Sequence, residues 1–257
     1  MKKKILKIIK TKNRRPLVCL TAYSKPIAKI VDKHCDIVLV GDSLATAMYG
    51  MKNTHETTIE MMIQHGISVK QNLNKALCVI DMPKDSYKTT KQAIKNARLI
   101  FKKTKCDAVK IECNGKNYEI IKNIVKKGMP VMGHIGFTPQ YHKKFKPQTD
   151  SINEQKKLLD QAKKNQEAGA FGIVLECVNK STAKIITKSL KIPTIGIGAS
   201  FHCDGQVLVT DDLIGLNVIN TRFLKRYLNL KKVINNAVIK FKMDVKNKKF
   251  PKKKHSY

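Results

Sequence analysis

A (βα)8 barrel, of class α/β, is predicted by three features of the chain. Apolar strand-like runs alternate with amphipathic helix-like segments throughout. The length of 257 residues suits a fold that usually takes about 250. Third, the strand-like runs keep ending in polar or charged residues, as Asp36-Ile37-Val38-Leu39-Val40-Gly41-Asp42-Ser43 does. The carboxyl edge of a parallel sheet is where barrels and open α/β folds place ligands.

Taken in order, the first strand is expected over residues 17–23, with a helix at 26–33 that carries Ile27, Ile30 and Val31 on one face. The second is the run at 36–43, whose consecutive branched residues suit a strand buried on both faces. Thr58 is placed to cap a helix reaching Lys75. Strand three covers 76–80 and ends in Asp81-Met82-Pro83, and Thr90 introduces the next helix. Strand four is Ala108-Val109-Lys110-Ile111-Glu112, and Gly128 stops the helix after it. Strand five spans 130–136 and includes His134. A polar segment to Asp150 leads to a helix with Leu158, Leu159 and Ala162 inward, closing near Gly169. Strand six is 172–177, followed by a helix capped by Ser181. Strands seven and eight fall at 192–198 and 206–210, and a terminal helix at 233–245. One barrel domain is therefore expected over 1–257, with a short N-terminal helical extension at about 1–15, a C-terminal helical extension, and a mobile basic tail at about 246–257.

Composition narrows the function classes. No apolar run approaches the 18–20 or so residues of a membrane helix, and Lys7 and Lys10 interrupt any signal-peptide core. A cytoplasmic protein without membrane partners is expected. The seven cysteines are odd in number and form no C-x-x-C pair, which points to reduced thiols and away from structural zinc. The net charge of +32 invites a nucleic-acid reading. Arginine, however, stands only at positions 14, 15, 98, 222 and 226, tryptophan is absent, and the lysines spread over every helix. Bidentate base recognition and stacking have little to work with, so no nucleic-acid partner is expected.

The polar strand ends form a constellation. Asp42 follows strand two, Asp81 strand three, Lys110 and Glu112 lie on strand four, His134 on strand five and Glu176 on strand six. Each has an ordinary alternative: a cap for either Asp, a surface lysine, a core histidine, half an ion pair for either Glu. Together they meet at one face of a closed barrel. Three carboxylates on neighbouring strands suit a hard divalent cation such as Mg2+. Lys110 and Glu112, two residues apart, share a face. The implied chemistry is enolisation of a chelated 2-oxo acid, with Glu176 as the proton-transfer group.

The same stretches resemble the ketopantoate hydroxymethyltransferase family. The similar runs are Leu20-Thr21-Ala22-Tyr23, Leu39-Val40-Gly41-Asp42-Ser43-Leu44, Asp81-Met82-Pro83, Val109-Lys110-Ile111-Glu112, Gly133-His134-Ile135-Gly136-Phe137-Thr138-Pro139-Gln140, Leu175-Glu176-Cys177-Val178, Ile195-Gly196-Ile197-Gly198-Ala199 and Asp204-Gly205-Gln206-Val207-Leu208-Val209. The resemblance implies a barrel of the phosphoenolpyruvate/pyruvate type. It implies transfer of a one-carbon unit from 5,10-methylenetetrahydrofolate to 3-methyl-2-oxobutanoate, giving 2-dehydropantoate for pantothenate synthesis. Carried over by motif, Asp42 and Asp81 bind Mg2+ and Glu112 completes the metal site, directly or through water. Ser43, Asp81 and Lys110 contact the oxo acid alongside Asp42, His134 lines the pocket, and Glu176 accepts the proton. A homo-oligomer, commonly a decamer, is implied as well. Ser24, Ser200 and the segment 140–151, a candidate lid, depart from the family pattern. Two other readings stand beside this one. The first is another Mg2+-dependent oxo-acid barrel that makes or cleaves C–C bonds, as in the phosphoenolpyruvate-mutase and isocitrate-lyase group; its catalytic Cys loop is not found. The second is a basic nucleic-acid binder.

Overall fold

The computed structural model describes residues 3–142, 151–217 and 221–257. Eight parallel strands close into a barrel in sequence order. They are β1 (Leu17–Thr21), β2 (Ile37–Val40), β3 (Leu77–Asp81), β4 (Ala108–Glu112), β5 (Val131–Gly136), β6 (Gly172–Glu176), β7 (Thr194–Ile197) and β8 (Gly205–Leu208). Around them run α1 (Lys3–Ile9), α2 (Lys25–Val31), the short α3 (Leu44–Ala47), α4 (Ile59–Lys70), α5 (Thr90–Thr104), α6 (Tyr118–Lys126), α7 (Ile152–Glu167) and α8 (Lys180–Ser189). By its contacts the chain divides into two units, Met1–Val209 and Thr210–Tyr257.

Alternation along each strand builds two apolar layers. Ile37, Leu39, Leu77 and Val79 belong to the cluster inside the barrel, together with Met132, Val174 and Ile195. Val38, Val40, Cys78, Ile80, Val109 and Ile111 belong to the layer between strands and helices. Ile5 and Ile8 of α1 join the inner cluster, so the N-terminal helix plugs the amino end of the barrel. Opposite it, the inner positions turn polar. Asp81, Lys110, Glu112 and His134 continue the inward rows of β3, β4 and β5, and all four are buried. Closure depends on β8 pairing with β1, Leu17 opposite Gly205. A Cβ at Gly205 would lie 2.6 Å from both the Cβ and the carbonyl oxygen of Leu17, so this strand pair can approach only with glycine there. The outward positions of this pair are not covered as the others are: Val18 is 46% exposed.

Strand order and helix order agree with the sequence expectation, and several ends move. Thr58 does cap α4, accepting from the Met61 N–H at 3.2 Å, but that helix stops at Lys70. The helix α5 begins at Thr90 as expected, with Thr89 as its cap, and the cap of α8 is Asn179, not Ser181. In both cases several Ser, Thr or Asn residues stand together, and the one with extended backbone two or three residues ahead of an orphan N–H takes the role. All seven cysteines are free, and all but Cys177 are buried. No helix of the described residues is long and apolar enough to cross a membrane.

In the second unit, α9 (Thr210–Leu213) is a single turn and α10 (Leu230–Lys246) a long helix capped by Asn229. Residues 246–257 are more than a basic tail. Phe250 packs against Phe241 of α10 and against His255, and Lys253–His255 forms a 3-10 turn.

At the amino end of the barrel, Asp32 follows α2 and its carboxylate accepts three backbone N–H groups, from Asn74, Lys75 and Ala76, at 2.8–3.0 Å. Burial acts to raise its pKa, but these donors more than offset it and hold the carboxyl below its ordinary range. Asp32→Ala is expected to destabilise the fold by about 1–3 kcal/mol at neutral pH, because three backbone donors, that of Ala76 buried, lose a charged acceptor. A group with a depressed folded pKa stabilises above its ordinary value and loses that contribution as pH falls. The gap between the two proteins in urea unfolding should therefore shrink once the pH drops below 3.8. A gap that is pH-independent, or absent at pH 7, would contradict this.

Candidate active site

The site begins with one registered pair. Asp81 ends β3 and lies opposite Lys110 on β4. Their side chains meet inside the barrel, Lys110 Nζ 2.9 Å from Asp81 Oδ2. The same Oδ2 accepts the backbone N–H of Asp42 at 3.1 Å. Asp42 lies in the turn just beyond β2 rather than on the strand, and this bond fixes where the turn brings it. Its carboxylate accepts from Gln140 Nε2 at 2.7 Å. Ser43, next in the chain, shares a 2.7 Å hydrogen bond with the Tyr23 hydroxyl.

A second group lies beside the first. Glu112 stands opposite His134 in the β4–β5 register, and Gly136 opposite Glu176 in the β5–β6 register. His134 lies between two carboxylates, with Nδ1 3.5 Å from Glu112 Oε1 and Nε2 3.2 Å from Glu176 Oε2. Neither approach has hydrogen-bond geometry, so these are charge contacts. The other Glu112 oxygen accepts the backbone N–H of Gln140 at 3.0 Å. Gln140 reaches the site because β5 ends in Gly136 with φ +94°. A Cβ there would sit 2.2 Å from the Glu176 carbonyl, which instead accepts the Phe137 N–H at 2.8 Å.

Electrostatics follow from burial. Asp42 and Asp81 are each pushed up to about 6, mainly by loss of solvent, with Lys110 opposing the shift. For Lys110 burial works against the charge, but Asp81, Asp42 and Glu112 outweigh it and raise the pKa above its ordinary value. Burial likewise disfavours charged His134, yet Glu112 and Glu176 raise it to about 9. Four carboxyl groups thus share this end of the barrel with one lysine and one histidine, so acids outnumber bases.

All the residues singled out in the sequence, Asp42, Ser43, Asp81, Lys110, Glu112, His134 and Glu176, come together at the carboxyl end of the barrel. Their grouping is not a three-carboxylate cage. Among the described residues, no three His, Cys, Asp or Glu side chains could hold a metal ion. Glu112 is turned toward Gln140 and His134. The Asp42 and Asp81 carboxylates do suit Mg2+, which commonly keeps water and takes one or two protein carboxylates. Asp81 Oδ1 is buried without a hydrogen-bond partner, an oxygen that a cation would satisfy.

Sequence reasoning missed Gln140, Tyr87 and Tyr23. Gln140 lies in an irregular loop with no periodic pattern, and its only signal was membership of the run ending Thr138-Pro139-Gln140. Of the candidate lid, 140–151, residues 143–150 lie outside the described residues.

Comparison with known proteins gives a consistent result. The family model described as ketopantoate hydroxymethyltransferase matches residues 2–253. A 3-methyl-2-oxobutanoate hydroxymethyltransferase of Pelagibacter ubique (strain HTCC1062) is 55% identical over 257 residues, covering 100% of both chains. One of Anaplasma marginale (strain St. Maries) is 44% identical over 256 residues, covering 98% of this chain and 92% of its own. Among solved structures, a phosphonopyruvate hydrolase complex with oxalate and Mg2+ aligns with a TM-score of 0.61 at 10% identity, covering 98% of this chain and 93% of that one. A phosphoenolpyruvate phosphomutase from Streptomyces platensis subsp. rosaceus aligns with a TM-score of 0.64 at 11% identity, covering 95% and 87%. The two structures share the barrel; the sequence matches run the length of the chain, and by them the chain belongs to the ketopantoate hydroxymethyltransferase family.

Proposed function

We propose that this site transfers a hydroxymethyl group from 5,10-methylenetetrahydrofolate to 3-methyl-2-oxobutanoate, forming 2-dehydropantoate for pantothenate biosynthesis, with Mg2+ held by Asp42 and Asp81. The relatives' names support the reaction. The observation that carries the metal assignment is the buried, unpartnered Asp81 Oδ1, on a carboxylate whose other oxygen binds the Asp42 backbone and which feels the Asp42 charge. When bound, Mg2+ supplies Lewis-acid polarisation of the 2-oxo group and so lowers the cost of the enolate.

The chain's own residues supply the rest. The Lys110 ammonium, held by Asp81, offers a fixed positive charge to the oxo acid's oxygens. The Ser43 hydroxyl, oriented by Tyr23, offers a hydrogen bond to the substrate carboxylate. Glu176 is the least buried of the carboxylates at 17% side-chain exposure, which suits a group that meets an incoming substrate. It takes the proton from C3, and the freed electron pair delocalises toward the 2-oxo oxygen. That carbon then bonds to the folate's methylene carbon as one methylene–nitrogen bond breaks, the freed nitrogen taking the proton from Glu176. Water then displaces the second folate nitrogen, which takes a proton from that water, so that tetrahydrofolate leaves and the water oxygen becomes the new hydroxyl. His134, charged between Glu112 and Glu176, holds the base in orientation. A homo-oligomer, a decamer by resemblance, and a cytoplasmic setting belong to the same reading; a monomer in sedimentation would remove the former.

Asp42→Asn and Asp81→Asn should each lower Mg2+-dependent activity at least about tenfold, or roughly 1.4 kcal/mol of transition-state stabilisation. Glu112→Gln should be milder. Mg2+ titrations indistinguishable from wild type in both Asp variants would sink the metal assignment.

Glu176→Gln should reduce kcat by about 10²–10⁴-fold and leave Mg2+ affinity nearly unchanged. The cleanest check is exchange of the C3 proton of 3-methyl-2-oxobutanoate in deuterated water without folate, which isolates proton transfer. Exchange at the wild-type rate would reassign the base.

Both Asp pKa values are raised, so both carboxyls hold protons up to about pH 6 and must release them to bind a cation. Mg2+ affinity in calorimetry should therefore be steady above about pH 7 and fall as the pH drops through 6. Equal affinity at pH 5 and pH 7.5 would contradict the assignment.

A further inference from the structure

Gln140 makes more polar contacts than any role in the reaction above has used. It is buried, at 1% exposure, and four bonds converge on it. Its Nε2 donates to Asp42 Oδ2 at 2.7 Å and to the Met82 carbonyl at 3.0 Å. Its Oε1 accepts from the Tyr87 hydroxyl at 2.5 Å. Its backbone N–H donates to Glu112 Oε2 at 3.0 Å. One residue therefore touches the carboxylate after β2, the carboxylate on β4 and the turn after β3.

The amide has only one workable orientation. Both Nε2 hydrogens are committed to acceptors, and the tyrosine hydroxyl supplies the single donor that Oε1 needs. A flipped amide would aim Oε1 at a carboxylate and a carbonyl and leave the Tyr87 proton against an NH2 group. Glu at this position would put a carboxylate against that of Asp42, and Asn would fall short by a methylene. The backbone that carries the amide is itself braced. The carbonyl of Pro139 accepts from His55 Nε2 at 2.9 Å, and Lys84 Nζ donates to His55 Nδ1 at 3.2 Å. Gln140 is thus a neutral wedge of fixed geometry between two buried anions.

We propose that Gln140 is a positioning residue that sets the orientation of the Asp42 carboxylate, and its spacing from Glu112, for the divalent cation, with Tyr87 locking the amide. This rests on the reading of Asp42 and Asp81 as the Mg2+ carboxylates. Without the wedge, Asp42 loses its charge-assisted donor and is free to turn toward Lys110, the nearby cation that already raises the ionised form's stability. The cation then has to pull the carboxylate back before it can bind.

The test is calorimetric titration of the full-length enzyme with Mg2+ alone, for wild type, Asp42→Asn, Gln140→Met and Tyr87→Phe, each checked for folding by circular dichroism. Gln140→Met, similar in length and without hydrogen-bonding groups, should weaken Mg2+ binding about tenfold; Tyr87→Phe should weaken it about threefold. Because the residue acts through the metal carboxylates, kcat should recover toward wild type at saturating Mg2+, which general misfolding would not allow. A folded Gln140→Met with wild-type Mg2+ affinity overturns the inference. If that variant does not fold, Tyr87→Phe decides, and an unchanged affinity there overturns it equally. Loss in Asp42→Asn without loss in the Gln140 and Tyr87 variants defeats the positioning role alone. No loss in any of the three defeats the metal reading and the positioning role together.

Discussion

The contact between Lys110 and Asp81 at the carboxyl end of β3 and β4 organises the rest of the site. An ammonium and a carboxylate taken out of water each carry a large desolvation cost, and one partner alone could not be kept there ionised. Together they are tolerated, and the pair then recruits further charge. Asp81 anchors the Asp42 backbone, Asp42 needs the Gln140 amide, and the Gln140 backbone supports Glu112. Each link is a buried polar group satisfied by the next. Such a network is a poor source of stability, yet it gives each buried group at the barrel mouth a defined orientation.

The barrel separates that arrangement from what keeps it folded. At the amino end, Ile5 and Ile8 of α1 fill the interior, Asp32 ties the start of β3, and Asp204 joins Lys12 and Thr194 beside the β8–β1 closure. These contacts are apolar or fully satisfied. At the carboxyl end the same inward rows hold charges, and an acidic oxygen remains without a hydrogen bond. One set of strands thus carries both tasks at opposite ends, the division of labour expected of this architecture.

Solved neighbours at 10–11% identity share the barrel with this chain. A fold common to different chemistries does not choose among them. The choice lies in what the strand ends carry, and here those residues come with relatives matched over the whole chain.

Much of this could be read before any coordinates. Continuous apolar runs alternating with segments of 3.6 period give the strand and helix order, because strands covered by helices are buried on both faces and the helices on one. Parallel strands in a closed barrel put all their carboxyl ends on one face, so Asp42, Asp81, Lys110, Glu112, His134 and Glu176 could be gathered from position alone. Local competition was less legible. Thr89 and Asn179 cap where neighbouring Thr90 and Ser181 offer the same chemistry, and backbone geometry decides between them. What only the tertiary structure decided is how the gathered groups face one another. Glu112 turns to Gln140 and His134 rather than to the Asp pair, and Tyr23 comes to Ser43 across twenty residues. Gln140 joins Asp42 from 98 positions away. Loop residues have no period, and side-chain direction at a barrel mouth is set by whichever distant donor satisfies each buried charge.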